Sequence, residues 1–152
     1  MDEFQIITAV VAILGLFLSI YALWRQKRDK KPSVKVTTSY SVVGSPGIGI
    51  TSPQLFSTTA MNTGQVVVHL SHCGILIPNG RKLQFVGADE YTEKSLPVTL
   101  YPGKSITISR ALDGIINDLQ REGYSGTVSG YCYFMDEIDN TYKGKKIKFQ
   151  IP

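Results

Sequence analysis

The chain has 152 residues, with 16 Lys and Arg against 12 Asp and Glu, which gives a formal charge of +4. This length suits one domain of ordinary size plus an appendage. Because 43% of the residues are hydrophobic and 18% are charged, the composition excludes a disordered chain. Two cysteines exclude a disulfide-rich scaffold.

The positive charge is concentrated in one short segment. Residues 25–31 contain five basic residues and one acidic residue, whereas residues 33–152 contain 11 basic and nine acidic residues. A folded nucleic-acid-binding domain would carry the basic excess itself. We therefore expect no nucleic-acid polymer as a partner.

The first predicted element is a transmembrane helix over residues 4–24. This segment has 21 consecutive uncharged residues, of which 12 are Leu, Ile, Val or Phe. A helix of that length is about 32 Å long and crosses a hydrocarbon core of about 30 Å. The alternative, a cleaved signal peptide, needs a basic start and a shorter apolar core. Since Asp2 and Glu3 make the start acidic, the sequence favours an uncleaved, single-pass anchor.

Residues 25–32 form a predicted basic tether beside the membrane. Its basic collar consists of Arg25, Lys27, Arg28, Lys30 and Lys31. The positive-inside rule then places the N-terminus outside and residues 33–152 in the cytoplasm. The collar would also meet anionic lipid headgroups, although a purely topological stop signal with no lipid specificity is the favoured interpretation.

Small residues form a stripe along the predicted anchor. They are spaced alternately four and three apart, and they are Thr8, Ala12, Gly15, Ser19 and Ala22. Small residues let helix backbones approach closely in lipid. This seam predicts self-association of the anchor, against the alternative that common small residues fall there by chance.

Beyond Pro32 the sequence changes to a two-residue period typical of strands. Strands are predicted over 33–43, 55–61, 65–77 and 81–86, with a loop at 44–49 and a hairpin turn at Pro78-Asn79-Gly80. The third strand is long enough to be bent or bulged near Gly74.

The second half predicts four more strands and one helix. The strands cover 97–100, 105–109, 127–135 and 141–151, with an acidic loop at 89–90. Leu112, Ile115, Ile116 and Leu119 follow a helical period, and Gly123 suits the C-cap. Seven or eight short strands with one short helix favour a mainly β fold, an antiparallel β-sandwich or small barrel over 33–152.

Two turn-rich segments carry a family resemblance. The segments Ala60-Met61-Asn62-Thr63-Gly64 and Leu100-Tyr101-Pro102-Gly103-Lys104-Ser105 resemble recurrent parts of immunoglobulin-like sandwiches. The order of anchor, basic stop and β-domain is similar to that of small uncharacterised bacterial single-pass membrane proteins. The resemblance implies an immunoglobulin-like fold and no activity. The chain lacks the buried Trp of true immunoglobulin domains, because its one Trp is Trp24 in the anchor.

One cluster contains nucleophile and metal-ligand side chains, His69-Leu70-Ser71-His72-Cys73. On a regular strand His69, Ser71 and Cys73 share one face. Since a zinc site needs further ligands, we expect structural residues, no catalytic or metal site and no cofactor. Cys73 and Cys132 would suit an inter-sheet disulfide in a secreted sandwich and stay reduced in a cytoplasm.

The remaining candidate is an anion site. Its basic residues are Arg81, Lys82, Lys143, Lys145, Lys146 and Lys148, although exposed Lys also protects sheet edges from aggregation. Tyr124, Tyr131, Tyr133 and Tyr142 could stack on a base or pack the sheet. Residues 136–140 are rich in oxygen ligands without the spacing of a calcium-binding EF-hand loop.

Together these features predict a non-enzymatic scaffold. It oligomerises through the anchor in the lipid bilayer and binds a protein partner through its cytoplasmic domain. The alternative is a ligand-gated membrane effector that senses an anionic, nucleotide-like molecule, similar to bacterial antiphage effectors.

Overall fold

The structure is a computed structural model that describes residues 3–42, 54–78, 80–86 and 95–152. Within these ranges the chain is mainly β, with eight strands in two antiparallel sheets and two helices. The predicted mainly β class with an apolar N-terminal helix and one short helix is therefore confirmed. The predicted loops 44–49 and 89–90, and Asn79 of the predicted hairpin turn, lie outside the described residues.

The elements follow one another in the predicted order. They are α1 (Glu3–Asp29), β1 (Val34–Val42), β2 (Gln54–Asn62), β3 (Val68–Leu76), β4 (Lys82–Gln84), β5 (Val98–Leu100), β6 (Ser105–Ala111), α2 (Leu112–Arg121), β7 (Gly126–Asp136) and β8 (Thr141–Ile151).

The helix α1 extends beyond the predicted anchor. It continues from Trp24 through the basic run to Asp29, because Arg, Lys and Gln are good helix formers. Pro32 disfavours helical geometry at the preceding residue. Only residues 30–33 therefore separate α1 from β1.

The eight strands form a three-stranded and a five-stranded sheet. The first has the order β1-β2-β6, and the second has the order β4-β3-β7-β8, with β5 also paired to β3. Side chains from both sheets share one hydrophobic core, which includes Phe56, Ile108, Leu70 and Phe134. The sheets also approach each other where Gly144 of β8 faces Val36 of β1.

The two ends of the domain differ in what they carry. The start of β1 and the loops 62–67, 101–104 and 137–140 lie at one end, which we call the anchor-side end because α1 leads into it. The far end carries the turn between β3 and β4 and the helix α2.

The helix α2 closes one side of the core. Ile115 and Leu119 are fully buried, and Leu112 and Ile116 pack beside them. After the helix, the N–H of Gly123 donates to the Gln120 carbonyl and that of Tyr124 to the Leu119 carbonyl. With Gly123 at φ +86°, this is a Schellman cap, as the glycine position predicted.

The strand β3 contains a bulge at a different place from the predicted one. Leu70 pairs with Asp136 and His72 with Met135, so Ser71 is the extra residue. Because the bulge shifts the alternation, Leu70 and Cys73 are both buried while His69 is exposed. The prediction that His69 and Cys73 share a face is therefore wrong. The strand also begins at Val68 rather than at residue 65.

Candidate functional site

The helix α1 exposes its apolar side chains along its whole length. In the part of the chain that the structure describes, Phe4–Lys27 is the one helix long and apolar enough to cross a membrane, and none of it is buried against the domain. A contiguous apolar surface of this size marks a membrane or interaction site.

The small-residue seam lies on this uninterrupted helix. A heptad spacing drifts by only about 20° per seven residues on a straight helix, so the five residues stay on one side. Beside Gly15 an added Cβ would meet nothing within 4 Å. The hydroxyls of Thr8 and Ser19 donate to the carbonyls of Phe4 and Gly15, each at 2.8 Å. The seam therefore offers close backbone approach, and its hydroxyl protons are used within the helix.

The basic collar straddles the end of α1. Arg25, Lys27 and Arg28 lie on its last turns, and Lys30 and Lys31 follow Asp29. Cations at this end of a helix also interact favourably with the helix dipole. The first three collar residues thus continue the apolar helix, and the last two lie in the short connection to β1.

Four lysines of β8 lie on the outer face of the five-stranded sheet. Simple alternation would place Lys145 and Lys146 on opposite faces. The β7–β8 register shifts between Tyr131, which pairs with Lys146, and Tyr133, which pairs with Lys143. This bulge turns both neighbouring lysines outward, so that all four are exposed: Lys143, Lys145, Lys146 and Lys148.

Lys82 of β4 joins the same face from the other side of β7. Its Nζ lies 5.6 Å from the centroid of the Tyr133 ring, a cation–π contact. Because Tyr133 pairs with Lys143, the ring lies between two lysines. The strands of this sheet contain one acidic residue, Asp136, and it is buried. We call Lys82 and the four β8 lysines, with Tyr131 and Tyr133, the basic face.

Arg81, the sixth predicted anion-site residue, is engaged elsewhere. Its guanidinium lies 3.9 Å from the Glu122 carboxylate, just after α2. Both side chains are mostly exposed, so the pair contributes little to stability. The structure thus unites the five predicted lysines and places Arg81 at the far end.

Ser71 and His72 contact each other at the bulge of β3. Ser71 Oγ donates to the Met135 carbonyl at 3.2 Å, and His72 Nδ1 lies 2.8 Å from Ser71 Oγ. The Ser71 hydroxyl thus ties the bulged residue to β7. His69 contacts Thr99 Oγ1 at 2.9 Å on the adjacent strand.

The two cysteines are buried free thiols in neighbouring strands. Cys73 pairs with Phe134 and Cys132 with Ile75, so the thiols are diagonal neighbours within one sheet, not partners across two sheets. Diagonal pairs stand about 7–8 Å apart, too far for a disulfide without backbone movement. Burial raises the pKa of each thiol to about 12, which keeps both thiols protonated.

Asp136 organises the hairpin between β7 and β8. Its carboxylate accepts hydrogen bonds from the backbone N–H groups of Ile138 and Asn140, from the Asn140 amide and from the Tyr142 hydroxyl, at 2.8–3.1 Å. Burial alone would raise the pKa of Asp136, but these hydrogen bonds outweigh it and lower the pKa. Both carboxylate oxygens of Asp136 are thus used within the hairpin.

Asn62 is a structural residue whose role the sequence analysis missed. It is fully buried, and its amide donates to the carbonyls of Val66 and Leu100 at 2.7 and 2.8 Å, while its oxygen accepts from the Gly64 N–H. Asn62 therefore links the connection between β2 and β3 to the connection between β5 and β6. The segment Asn62-Thr63-Gly64 signalled a turn, but nothing local showed that Leu100 would be the partner.

Among the described residues, no group of three or more His, Cys, Asp or Glu side chains could hold a metal ion. No protein-family model and no curated protein matches the chain. The chain is similar to the X-ray structure of Northeast Structural Genomics Consortium target SoR45, with 21% identity and a TM-score of 0.31 over 82% of this chain and 89% of that chain. It is also similar to a crystal structure assigned to the ApaA protein of Bordetella pertussis, with 13% identity and a TM-score of 0.40 over 81% and 97%. Similarity at this level identifies neither a family nor an activity.

Proposed function

We propose that this protein is a non-enzymatic, single-pass membrane scaffold. Its helix crosses the bacterial inner membrane with the N-terminus outside, self-associates through the small-residue seam, and holds an immunoglobulin-like β-sandwich at the cytoplasmic side. The observation that carries this proposal is α1: Phe4–Lys27 is long and apolar enough to cross a membrane, none of it is buried within the described chain, and basic residues occupy its end and the two positions after Asp29. Lipid would cover this apolar surface, and the collar orients the helix.

The basic face supports a binding role for the domain. Five lysines and the partly exposed Tyr131 line one sheet face on which the strands present no acidic side chain, and the buried Tyr133 ring lies beneath Lys82. Charge complementarity then favours an acidic protein surface as the partner. The collar and the basic face carry separate tasks, because the first lies beside the membrane and the second on the sheet.

Energy transfer between labelled copies in liposomes tests the seam. We expect transfer well above that of a random mixture for the wild type, and a loss of most of it for Gly15→Leu with Ser19→Leu, because two bulky side chains separate the backbones. The matched control is Ile13→Leu with Phe17→Leu, which has the same spacing on another face and should keep the wild-type transfer. Transfer that is absent in the wild type, or equal in both double variants, would contradict assembly through the seam.

A second candidate function is sensing of an anionic, nucleotide-like ligand. The observation that favours it is Tyr131, which is 40% exposed and pairs with Lys146, since an exposed aromatic ring beside a lysine suits both a base and a phosphate. Titration of the full chain in nanodiscs with a cyclic dinucleotide and, separately, with a polyglutamate peptide distinguishes the candidates. Polyglutamate binding that Lys146→Glu with Lys148→Glu abolishes supports the acidic partner. Cyclic-dinucleotide binding that is lost in the same variant supports the sensor, and binding of neither probe contradicts a role for the basic face.

A further inference from the structure

The anchor-side end of the domain carries an apolar surface that no residue of the described chain covers. Ile138 is 75% exposed at the tip of the β7–β8 hairpin, Tyr101 is 60% exposed after β5, and Val67 is 37% exposed before β3. All three belong to loops at the same end of the domain. Large apolar side chains at three loop tips on one end indicate an interaction surface.

The chain from the membrane enters the domain at this surface. The Ser33 carbonyl accepts from the N–H groups of Thr63 and Gly64 at 2.9 and 3.1 Å, and the Ser33 hydroxyl contacts that of Thr63 at 2.9 Å. Pro32, one residue earlier, lines a recess of about 210 Å³ together with Val66, Val67 and Ile138. The entry point is thus fixed beside the exposed apolar residues.

The linker is too short to let the far end of the domain lie closest to the lipid. Residues 30–33 span at most about 14 Å when extended, and residues 25–29 add about 7 Å of helix beyond Trp24. The headgroup layer occupies about 5–8 Å on each side of the bilayer. By contrast, the 11 residues of β8 carry the far end about 36 Å away.

We propose that the anchor-side end docks on the bilayer interface, with Ile138, Tyr101 and Val67 in contact with the headgroup region. This inference rests on the membrane anchor of the proposed function. Tyr is enriched at membrane interfaces, where its ring is apolar and its hydroxyl stays hydrated. Lys104 is exposed beside Tyr101, and Glu137 and Asp139 flank Ile138, so these loops carry one basic and two acidic side chains and no net positive charge. Apolar contact therefore holds the surface, and the collar supplies the attraction to anionic lipid.

Fluorescence quenching of the full chain in vesicles tests the docking. A polarity-sensitive label is attached to the new cysteine of Gln65→Cys at the anchor-side end, or of Gln120→Cys in α2 at the far end. Because the native thiols are buried, the unsubstituted protein measures the background labelling. The vesicles contain phosphatidylcholine and phosphatidylglycerol, with a spin label near the headgroup. We expect the label at residue 65 to lose most of its emission and the label at residue 120 to keep it.

Two double variants separate docking from mere tethering. Ile138→Ser with Tyr101→Ser should restore most of the emission at residue 65, whereas Ile138→Leu with Tyr101→Phe should leave it quenched. If residue 65 stays bright, or if the Ser variant stays quenched, the docking surface is wrong. Trp24 reports the anchor independently in the same sample: a quenched Trp24 with a bright residue 65 overturns docking alone, and an unquenched Trp24 overturns the anchor and the docking with it.

Discussion

Single buried polar residues hold this domain together at the end where the chain enters. Asn62 is fully buried, and it satisfies two carbonyls and one N–H at the crossing between the sheets. Asp136 performs a similar task in the β7–β8 hairpin. Such groups are costly to bury and hold one arrangement only when every partner is present.

Asp136 makes the stability of the domain depend on pH in a defined direction. Hydrogen bonds lower its folded-state pKa below the ordinary value of 3.8. Its contribution is therefore fully present above about pH 4 and is lost as the pH falls through the folded-state pKa. We expect Asp136→Asn to cost about 2–3 kcal/mol at pH 7, as for a buried charged hydrogen-bonding group, and this cost should shrink below pH 4.

Urea unfolding of the full chain in detergent micelles, followed by circular dichroism between acid and neutral pH, measures this cost. Asp139→Asn is the control. Asp139 lies in the same hairpin with an exposed side chain, and Asn readily adopts the φ of +63° at this position. It should stay close to the wild type at every pH. A cost of Asp136→Asn that stays constant down to the lowest pH would contradict the role assigned to the carboxylate.

At the level of elements, α2 shows how the same substitution has opposite effects at two positions. Gly114 lies in the exposed interior of the helix with open space around its Cα, whereas Gly123 caps the helix at φ +86°. We expect Gly114→Ala to stabilise the domain by about 0.5–1 kcal/mol through helix propensity. Gly123→Ala should destabilise it by about 1–2 kcal/mol, because a Cβ is strained in the left-handed region.

Thermal unfolding of both variants beside the wild type checks this pair. The same added methyl group should raise the midpoint at residue 114 and lower it at residue 123. Equal shifts in one direction would mean that the cap geometry does not control the end of the helix.

The two β-bulges are the places where the local sequence pattern failed to predict which face of the sheet a side chain occupies. Strand positions followed from alternation and turn residues, and the order of all eight strands was predicted correctly. The extra residue in β3 leaves no local signal, because Ser71 is an ordinary strand residue, whereas the irregular stretch of β8 contains Gly144, and an isolated glycine within a strand suggests a bulge. The face occupied by Cys73 was therefore predicted wrongly, and the common face of the β8 lysines was seen only in the structure.

On the scale of the whole molecule, the sequence predicted the individual helices and strands better than it predicted which residues contact one another. The anchor follows from length and charge, which are local properties. The partners of Lys82, Arg81 and Asn62 lie far along the chain, so they depend on the packing of two sheets. For the same reason, the sequence did not show that five of the six candidate anion-site residues share one sheet face, or that Arg81 pairs with Glu122 instead.

The direction of β8 has a consequence for how a partner would be held. The strand begins at the anchor-side end and runs away from it, so its lysines stand at graded heights. Lys143 and Lys148 pair with Tyr133 and Ser129, which are four residues apart in β7, so the two lysines lie about 13 Å apart along the sheet. The height of a bound acidic partner above the entry point of the chain therefore depends on which lysine of the basic face the partner contacts.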